Sequence, residues 1–394
     1  MISDFQQAVL SLIKSALTGE ETVLPENLDY DELYNFAIKQ QLVGLIFHGL
    51  QKNSDKVSKE VINKFFLPAC QAISLSHNQM AQLEKLCNLF DENGIEYMPV
   101  KGSAIRSAFP KPEMRLMSDL DILIKTEQID KINTVMEKAG YEGGQETDHE
   151  FIWSAKGVTQ IELHKCLVSE KNADFYDYYG NGWKFGKKCE GSTTRYLMSH
   201  EDMYIYLFVH LTKHFRAGGI GVKHLIDLYV YSTAHKLDKE YINKELEKLG
   251  LNVFYSHILR AIDYCFNSGE SDDTIDYIVN KFFNNGPYGT SDEANLWREY
   301  RDYKLSGSAE QNLKRKRLIK AIFLPKNEMC VKFPILKKAP FLLPFCHIAR
   351  WIEAIFSKGK IKKRINSIND FSQNDIADVK KELNSVGLDF EVKK

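Results

Sequence analysis

Two aspartates stand one residue apart in RLMSDLDIL, a segment that otherwise has the apolar character of a buried strand. Successive side chains of a strand point to opposite faces, so Asp119 and Asp121 would share one face while Leu120 and Ile122 take the other. Such a pair can bind one cation or two cations about 4 Å apart. The spacing alone is weak evidence, because a chain with 53 acidic residues among 394 contains several acid-x-acid triplets by chance.

A second apolar segment, TQIELHKCL, also carries an acid on its polar face. Glu162 and His164 alternate there with Ile161 and Leu163, which is the period of a half-buried strand. If the two strands are neighbours, three carboxylates converge, and such a cluster repels itself unless cations lie within it. His164 shares the face of Glu162, either as a substrate contact or as a hydrogen-bonded structural histidine.

A turn that suits a phosphate precedes the acid pair. The apolar segment IEYMPV leads into KGSAIRSAF, where Gly102 and Ser103 open a helical pattern. Glycine lets the backbone approach a ligand closely, and the free N–H groups of a helix start favour a phosphate. Lys101 and Arg115 are candidates to neutralise phosphate charge. The alternatives are an ordinary helix start and two charge partners of the acids.

The elements that must position these residues change in type along the chain. Residues 1–90 show the apolar spacing of helices, with Asp31 and Ser58 as predicted N-caps. Residues 91–198 alternate between strand and helix patterns, with strands at IEYMPV, LMSDLDILI, HEFIWSAKG and TQIELHKCL, and one helix that ends at Gly140. Residues 199–394 are predicted to be helical again. The predicted fold class is therefore α+β.

The order of these features resembles the nucleotidyltransferase superfamily of the DNA polymerase beta type. More closely, the chain resembles a bacterial group of uncharacterised nucleotidyltransferases, through the segments VKGSAI, FPKPEMRLMSDLDILI, AGYE, IELH, HLTKH and HLIDL. The resemblance covers most of the chain and implies a small mixed β-sheet flanked by N- and C-terminal helical regions. It also implies that Gly102 and Ser103 hold the triphosphate, and that Asp119, Asp121 and Glu162 hold two Mg²⁺ ions.

The activity that the resemblance implies is metal-dependent transfer of a nucleoside monophosphate from an NTP to an acceptor hydroxyl, with release of pyrophosphate. We expect ATP as the NTP, Mg²⁺ or alternatively Mn²⁺ as the metal, and a small molecule, a sugar or a protein as the acceptor. One alternative is a non-catalytic nucleotide-binding or regulatory protein on the same fold. Another is a metal-dependent glycosyltransferase, which would require an α/β region before the acid pair.

Two histidines of the C-terminal helical region are further candidates. His210 and His214 lie one helical turn apart in HLTKHF, which is the spacing of a zinc helix, but the glutamate of the H-E-x-x-H pattern is absent. Together with Lys213 they either line the acceptor or nucleotide cleft or pack in the interior. Asp227 is expected to anchor helix packing, with a place in the cleft as the alternative.

Composition and charge narrow the class of protein. The chain is 44% hydrophobic and 27% charged, as in folded rather than disordered proteins. Its seven cysteines form no C-x-x-C pair, and its N-terminus does not resemble a signal peptide. No apolar run approaches the ~20 residues of a membrane-spanning helix. We therefore expect a cytoplasmic protein without a transmembrane segment.

One C-terminal segment is strongly basic. Residues 314–364 contain fifteen lysines and arginines against two acidic residues, although the whole chain has a net charge of -1. Cationic and apolar-aromatic residues alternate there in a way that suits nucleic acid or an anionic membrane surface. The alternative is a solvated basic face that packs on the acidic remainder of the chain.

Overall fold

The computed structural model describes residues 2–147, 149–286, 291–306, 319, 322–356 and 373–389. These residues form two compact units. The first contains the described residues up to 286 together with 385–389, and the second contains those from 291 to 384.

The first unit begins with four helices, α1 (Asp4–Thr18), α2 (Tyr30–Lys39), α3 (Val43–Lys52) and α4 (Lys59–Glu92). Ser58 caps α4 as predicted, since its hydroxyl accepts a hydrogen bond from the backbone N–H of Val61 at 3.3 Å. The prediction for Asp31 is wrong. Asp29 is the N-cap of α2, and the N–H of Asp31 itself donates to the Asp29 carboxylate at 2.8 Å. The described chain ahead of the sheet is helical, so it does not supply the α/β region that a glycosyltransferase would require.

Five strands form the main sheet, β1 (Tyr97–Pro99), β2 (Asp119–Ile124), β3 (Glu142–Glu146), β4 (Glu150–Ser154) and β5 (Gln160–His164). Their order is β1-β2-β5-β4-β3, with β2 and β5 parallel and the other neighbours antiparallel. The predictions of an α+β fold and a small mixed sheet are confirmed. The strand β3 was not expected from the sequence, because its residues EGGQE lack apolar alternation. A Cβ at Gly143 would lie 2.4 Å from the Ile152 carbonyl oxygen.

One face of the sheet forms a hydrophobic core with α4 and with α6 (Ile129–Lys138). The fully buried residues of this face include Leu120 and Ile122 of β2 and Ile161 and Leu163 of β5. Full burial of each such side chain contributes about 1.5–3 kcal/mol. A slip of one residue in register would turn the carboxylates into the core. The apolar residues therefore fix the face on which the acids lie.

Short elements and helices complete the first unit. Between β1 and β2 lie α5 (Gly102–Ile105) and the 3-10 helices Arg106–Ala108 and Pro112–Met114, and a third, Thr126–Gln128, precedes α6. After β5 come α7 (Ala173–Tyr179), the 3-10 helix Trp183–Phe185, a two-stranded sheet of β6 (Lys187–Lys188) and β7 (Tyr196–Leu197), α8 (His200–Arg216), α9 (Val222–Ala234), α10 (Lys239–Lys248), α11 (Asn252–Phe266) and α12 (Asp273–Asn284). Gly140 follows α6 with a φ of 84°, as its predicted role at the end of that helix requires.

The second unit is helical in its described part, with α13 (Ser291–Ser306), α14 (Lys326–Lys332), the 3-10 helices Pro334–Lys337 and Pro340–Leu342, α15 (Leu343–Phe356) and most of α16 (Gln373–Val386). Met329, Leu336 and Cys346 form its small core. Much of the basic segment, residues 314–318, 320–321 and 357–364, lies outside the described residues. Its contact with nucleic acid or membrane therefore stays a prediction. Among the described helices, none combines the length and the apolar character needed to cross a membrane.

Candidate functional site

A cleft of about 290 Å³ in the first unit is lined by residues from the sheet and from helices α8 and α9. The strands contribute carboxylates to it, from Asp119, Asp121, Glu150 and Glu162. The helices contribute basic side chains, from His210, Lys213, His214, Lys223 and His224. The cleft thus has an acidic wall, formed by those four acids, and a basic wall, formed by those five bases.

The β2–β5 register brings the acids together. Asp121 lies directly opposite Glu162, and Asp119 lies opposite Gln160. Ligand atoms of Asp121, Glu162 and His164 lie within 4.8 Å of one another. The structure therefore brings the three acids singled out by the sequence into one cleft. It adds Glu150 of β4, which no sequence pattern singled out. Glu150 is separated from the other acids along the chain and is placed beside them by the pairing of β4 with β5.

Burial and mutual repulsion both act on the carboxylates of the acidic wall. Burial raises the pKa of Glu162 to about 8, and the charges of Asp119 and Asp121 add to this shift. Burial and the charge of Asp121 also raise the pKa of Asp119. Burial opposes ionisation of Asp121, but Lys101 and His164 together hold its pKa below the ordinary value. Protons or bound cations would relieve this repulsion.

Among the described contacts of Asp121, the closest cation is Lys101. Its Nζ donates to Asp121 Oδ1 at 2.6 Å and lies 3.4 Å from His164 Nε2. Burial alone lowers the pKa of Lys101, but the Asp121 carboxylate outweighs burial and raises this pKa above its ordinary value. Lys101 has a φ of 48°, which is uncommon for a residue other than glycine. The turn before α5 thus directs an ammonium group into the acidic wall.

Gly102 and Ser103 follow Lys101 and connect the turn to neighbouring segments. A Cβ at Gly102 would lie 2.8 Å from Met117 Sδ, so the absence of a side chain permits close packing there. The hydroxyl of Ser103 accepts a hydrogen bond from the Asp121 backbone N–H at 3.1 Å. Gly102 lines the cleft, whereas the described contact of Ser103 holds the turn against β2.

His164 is a buried partner of Asp121. Its side chain is 1% exposed, and its Nε2 lies 2.8 Å from Asp121 Oδ1. Burial and the charge of Lys101 lower the pKa of His164 to about 4, so the ring is neutral at pH 7. Since a carboxylate oxygen accepts, the Nε2–H group donates. This geometry matches the structural alternative for His164, in which it orients Asp121.

Arg115 and Asp227 form a paired contact within the cleft lining. Arg115 Nε donates to Asp227 Oδ1 at 2.6 Å, and Nη2 donates to Asp227 Oδ2 at 2.8 Å. The pair links the segment before β2 to α9 across 112 residues of sequence. Asp227 thus has the anchoring contact that the sequence suggested, and Arg115 is engaged with it.

The basic wall combines three histidines and two lysines. His210 and His214 of α8 and His224 of α9 have ligand atoms within 4.8 Å of one another. Burial lowers the pKa of each of these histidines, and nearby positive charge lowers it further, to about 3 for His224. Burial and then the charge of Arg115 lower the pKa of Lys223 to about 8. Neutral imidazoles therefore lie beside ammonium groups on this wall.

Lys223 and His224 are cleft residues that no sequence pattern singled out. The available signal was in VKHLIDL, where Lys223 and Asp227 are four residues apart and so share one face of α9. That spacing does not say which other element the face meets. Lys223 also donates to Gln41 Oε1 at 3.0 Å, a contact with the segment between α2 and α3.

Comparison with known proteins gives one family. Residues 26–267 match the family model described as "Uncharacterised nucleotidyltransferase". No curated protein matches the sequence. One similar solved structure is described as "Solution Structure of Antibiotic-Resistance Factor ANT(2'')-Ia Reveals Substrate-Regulated Conformation Dynamics", with 13% identity, 48% of this chain and 97% of that chain covered, and a TM-score of 0.33. The range matched by the family model, which is more than half of the chain, contains both walls of the cleft.

Proposed function

The chain belongs to the uncharacterised nucleotidyltransferase family, and we propose that it transfers a nucleoside monophosphate from an NTP to an acceptor hydroxyl, with release of pyrophosphate. The observation that carries the proposal is that an acidic wall and a basic wall line the same cleft. An NTP with its divalent cations has the complementary charges, because the cations suit the carboxylates and the phosphate oxygens suit the basic side chains. We take ATP as the first candidate among the NTPs.

The acidic wall fits divalent cations by the chemistry of its donors. Carboxylate oxygens are preferred ligands of Mg²⁺ and Mn²⁺. Burial and then the charges of Asp119 and Asp121 raise the pKa of Glu162 to about 8, and a cation would compensate those charges. Asp119, Asp121 and Glu162 are the residues that we assign to hold two such ions. When bound, the ions would neutralise phosphate charge and increase the acidity of the acceptor hydroxyl.

The basic wall is assigned to the phosphates. Lys213 and Lys223 would pair with phosphate oxygens as point charges. The pKa of Lys223 is about 8, so this side chain is mostly protonated at pH 7, and a phosphate beside it would raise the pKa further. The neutral rings of His210, His214 and His224 can donate N–H groups to the same oxygens. The Arg115–Asp227 pair holds α9, and with it Lys223 and His224, beside the start of β2.

The proton of the acceptor is assigned to Glu162. The acceptor oxygen bonds to the α-phosphorus, its proton passes to the Glu162 carboxylate, and the bond from the α-phosphorus to the bridging oxygen breaks, so that pyrophosphate leaves with that oxygen. His164 and Lys101 keep Asp121 ionised and oriented during this step.

The test compares the wild-type chain with the double variant Asp119→Asn plus Asp121→Asn. We expect Mg²⁺-dependent thermal stabilisation by ATP and pyrophosphate release in the wild type, and loss of both in the double variant. Asp177→Asn is the matched control, because Asp177 is an exposed acid of α7. An unchanged response of the double variant to Mg²⁺ and ATP would disprove the site. Binding of ATP by the wild type without turnover on any acceptor would instead favour a non-catalytic nucleotide-binding protein.

A further inference from the structure

A second hollow, of about 470 Å³, adjoins the start of β2 in the first unit. Met117 and Ser118, the two residues before Asp119, line both this hollow and the cleft. The rest of its described lining comes from Gln41, from one face of α4, from the turn between β4 and β5, and from Gln160 at the start of β5. A molecule in the hollow would therefore lie next to the acids that we assign to catalysis.

The chemistry of the hollow differs from that of the cleft. None of the eleven residues that the structure gives as its lining is charged, although 27% of the chain is charged. Eleven residues drawn at random from this chain would include no charged residue in only about 3% of cases. Five of the eleven residues have side-chain amides, and Ser118 and Thr159 have hydroxyls. Two exposed apolar residues, Leu75 and Val158, complete this pattern.

Amides and hydroxyls both donate and accept hydrogen bonds, which is what a ligand with many hydroxyl groups requires. Because Gln79 and Gln82 are engaged with the protein itself, Asn78 and Gln160 are the amides that we assign to the ligand. The apolar side chains of Leu75 and Val158 would contact the C–H faces of such a ligand. A phosphorylated acceptor would find no cation in the described lining, and an amino-substituted acceptor would find no carboxylate there. The hollow thus suits a neutral, polyhydroxylated molecule.

Two of the amides already hold the walls of the hollow in position. Gln79 Nε2 donates to the Met117 carbonyl oxygen at 2.7 Å. Gln82 Nε2 donates to the Thr159 carbonyl oxygen at 2.7 Å, and the Thr159 N–H donates to Gln82 Oε1 at 2.9 Å. These bonds connect α4 to the segment before β2 and to the turn before β5. The hollow is therefore preorganised, which reduces the entropic cost of binding.

Gln160 connects the hollow to the acidic wall. It lines the hollow, lies opposite Asp119 in the β2–β5 register, and donates from Nε2 to Glu162 Oε1 at 3.1 Å. Gln160 thus lines the hollow and also contacts Glu162, the carboxylate to which we assign the proton of the acceptor hydroxyl. A hydroxyl group of a ligand in the hollow would therefore approach Glu162 past Gln160, at the start of β5.

From these observations we propose that the hollow binds the acceptor, and that the acceptor is a neutral sugar or a similar polyol positioned by Asn78 and Gln160. The inference rests on the proposed nucleotidyl transfer. The reaction then forms a bond between a sugar oxygen and the α-phosphorus, with the sugar proton passing to Glu162 and pyrophosphate leaving. The nucleotide would then bind in the charged cleft, and the acceptor would bind in the uncharged hollow beside it.

The first experiment uses the full-length protein with Mg²⁺ and ATP and measures pyrophosphate release with sets of acceptors. Each set contains a neutral sugar or polyol and its amino and carboxylate or phosphate counterparts, for example N-acetylglucosamine, glucosamine and glucuronate. We expect the neutral member of at least one set to raise the rate about tenfold above its charged counterparts, as for a site whose hydrogen-bonding groups match one ligand. Preference for a charged member overturns the inference. So does the absence of stimulation by every neutral member while ATP binds with Mg²⁺, whereas failure to bind ATP would refute the proposed function itself.

The second experiment introduces a charge into the hollow. Asn78 is an exposed residue of α4, and Asn78→Asp changes its charge with little change in shape. We expect the KM for the neutral acceptor to rise about tenfold, equivalent to the loss of a good hydrogen bond, with the Kd for ATP unchanged. Asn88→Asp, at an exposed position on the same helix, should change neither value. Equal effects of the two substitutions on KM would overturn the inference.

The third experiment tests Gln160 as a positioning residue. Gln160→Met keeps the length of the side chain and removes its donor to Glu162. We expect a lower kcat together with a higher KM for the acceptor, whereas Asn78→Asp should act on KM alone, and Gln160→Asn should recover part of the loss. An unchanged kcat in a folded Gln160→Met variant would refute the role of Gln160.

Discussion

At the scale of single residues, burial and the charges of the neighbouring acids together determine when Glu162 ionises. Lys101 pairs with Asp121 at 2.6 Å, yet the pKa of Glu162 is still raised to about 8. A carboxyl group whose pKa is higher in the folded than in the unfolded chain binds protons more readily when folded. Between about pH 4.5 and pH 8 the folded state therefore holds the extra proton, and stability falls as pH rises through this window.

Glu162→Gln should remove this penalty. In EDTA at pH 8, we expect the variant to be more stable than the wild type by about 2 kcal/mol, because a neutral amide replaces a buried carboxylate. We also expect it to lose pyrophosphate release. Urea unfolding in EDTA at pH 5.5 and pH 8 checks this, with the gain smaller at pH 5.5, where Glu162 is already protonated. A variant less stable than the wild type at pH 8 would contradict the charge account.

His164 should act through Asp121. Removal of a hydrogen-bonding partner of a metal ligand typically weakens metal binding about 10–100-fold. We expect His164→Leu to raise the Mg²⁺ concentration needed for stabilisation by ATP by such a factor, while His164→Gln, which keeps an N–H donor, should lose less. A titration of Mg²⁺ at fixed ATP, followed by thermal unfolding, measures the effect. Identical Mg²⁺ requirements in the Leu and Gln variants would exclude the orienting role.

At the scale of elements, the turn before α5 depends on a small residue. A Cβ at Gly102 would lie 2.8 Å from Sδ of Met117, a flexible side chain that also lines both the cleft and the hollow. We expect Gly102→Ala to fold, to lose about 1–2 kcal/mol of stability, and to raise KM for both substrates. Added to Gly102→Ala, Met117→Ala should relieve the clash, so the two changes should be less than additive. Strict additivity in a double-mutant cycle would show that Met117 does not respond to the added Cβ.

Most of the elements around the site could be predicted, because apolar alternation and turn residues are local signals. Ser58, Gly140 and the strands that carry Asp121 and Glu162 all follow such signals. Two elements do not follow such local signals. The strand β3 lacks alternation and forms because β4 offers a partner. The N-cap of α2 is Asp29 rather than Asp31, since both acids precede the apolar pattern and the choice depends on where the first turn closes.

At the scale of the whole molecule, the cleft depends on contacts between distant segments. Asp121 and Glu162 could be brought together from sequence by assuming that their strands are neighbours. The sequence does not place Lys223, His224 and Glu150 in the same site, because their positions follow from how α9 and β4 pack against the other elements. Resemblance to a family supplied the roles of the acids, and the spacing of His210 and His214 with Lys213 suggested a part of the basic wall. Lys223 and His224 of that wall, and the uncharged hollow, became visible only in the folded chain.

The Arg115–Asp227 pair is the contact that we expect to hold α9 against the sheet side of the cleft. Both side chains are nearly buried, with 11% and 7% of their surface exposed, so removing one partner leaves a buried charge and costs about 3–5 kcal/mol. Asp227→Asn should show this loss in urea unfolding and should weaken ATP binding. Asp238→Asn, at the exposed N-cap of α10, is the control and should cost no more than about 1 kcal/mol. Similar losses in the two variants would mean that the pair has no special structural role.

The central claim is that a nucleoside monophosphate is transferred and that pyrophosphate leaves. The most direct measurement incubates the protein with Mg²⁺, a neutral sugar acceptor and ATP labelled either at the α-phosphate or at the γ-phosphate. The account predicts that the α-label becomes attached to the acceptor and that the γ-label appears only in pyrophosphate. Transfer of the γ-label to the acceptor, or its release as orthophosphate without movement of the α-label, would contradict it.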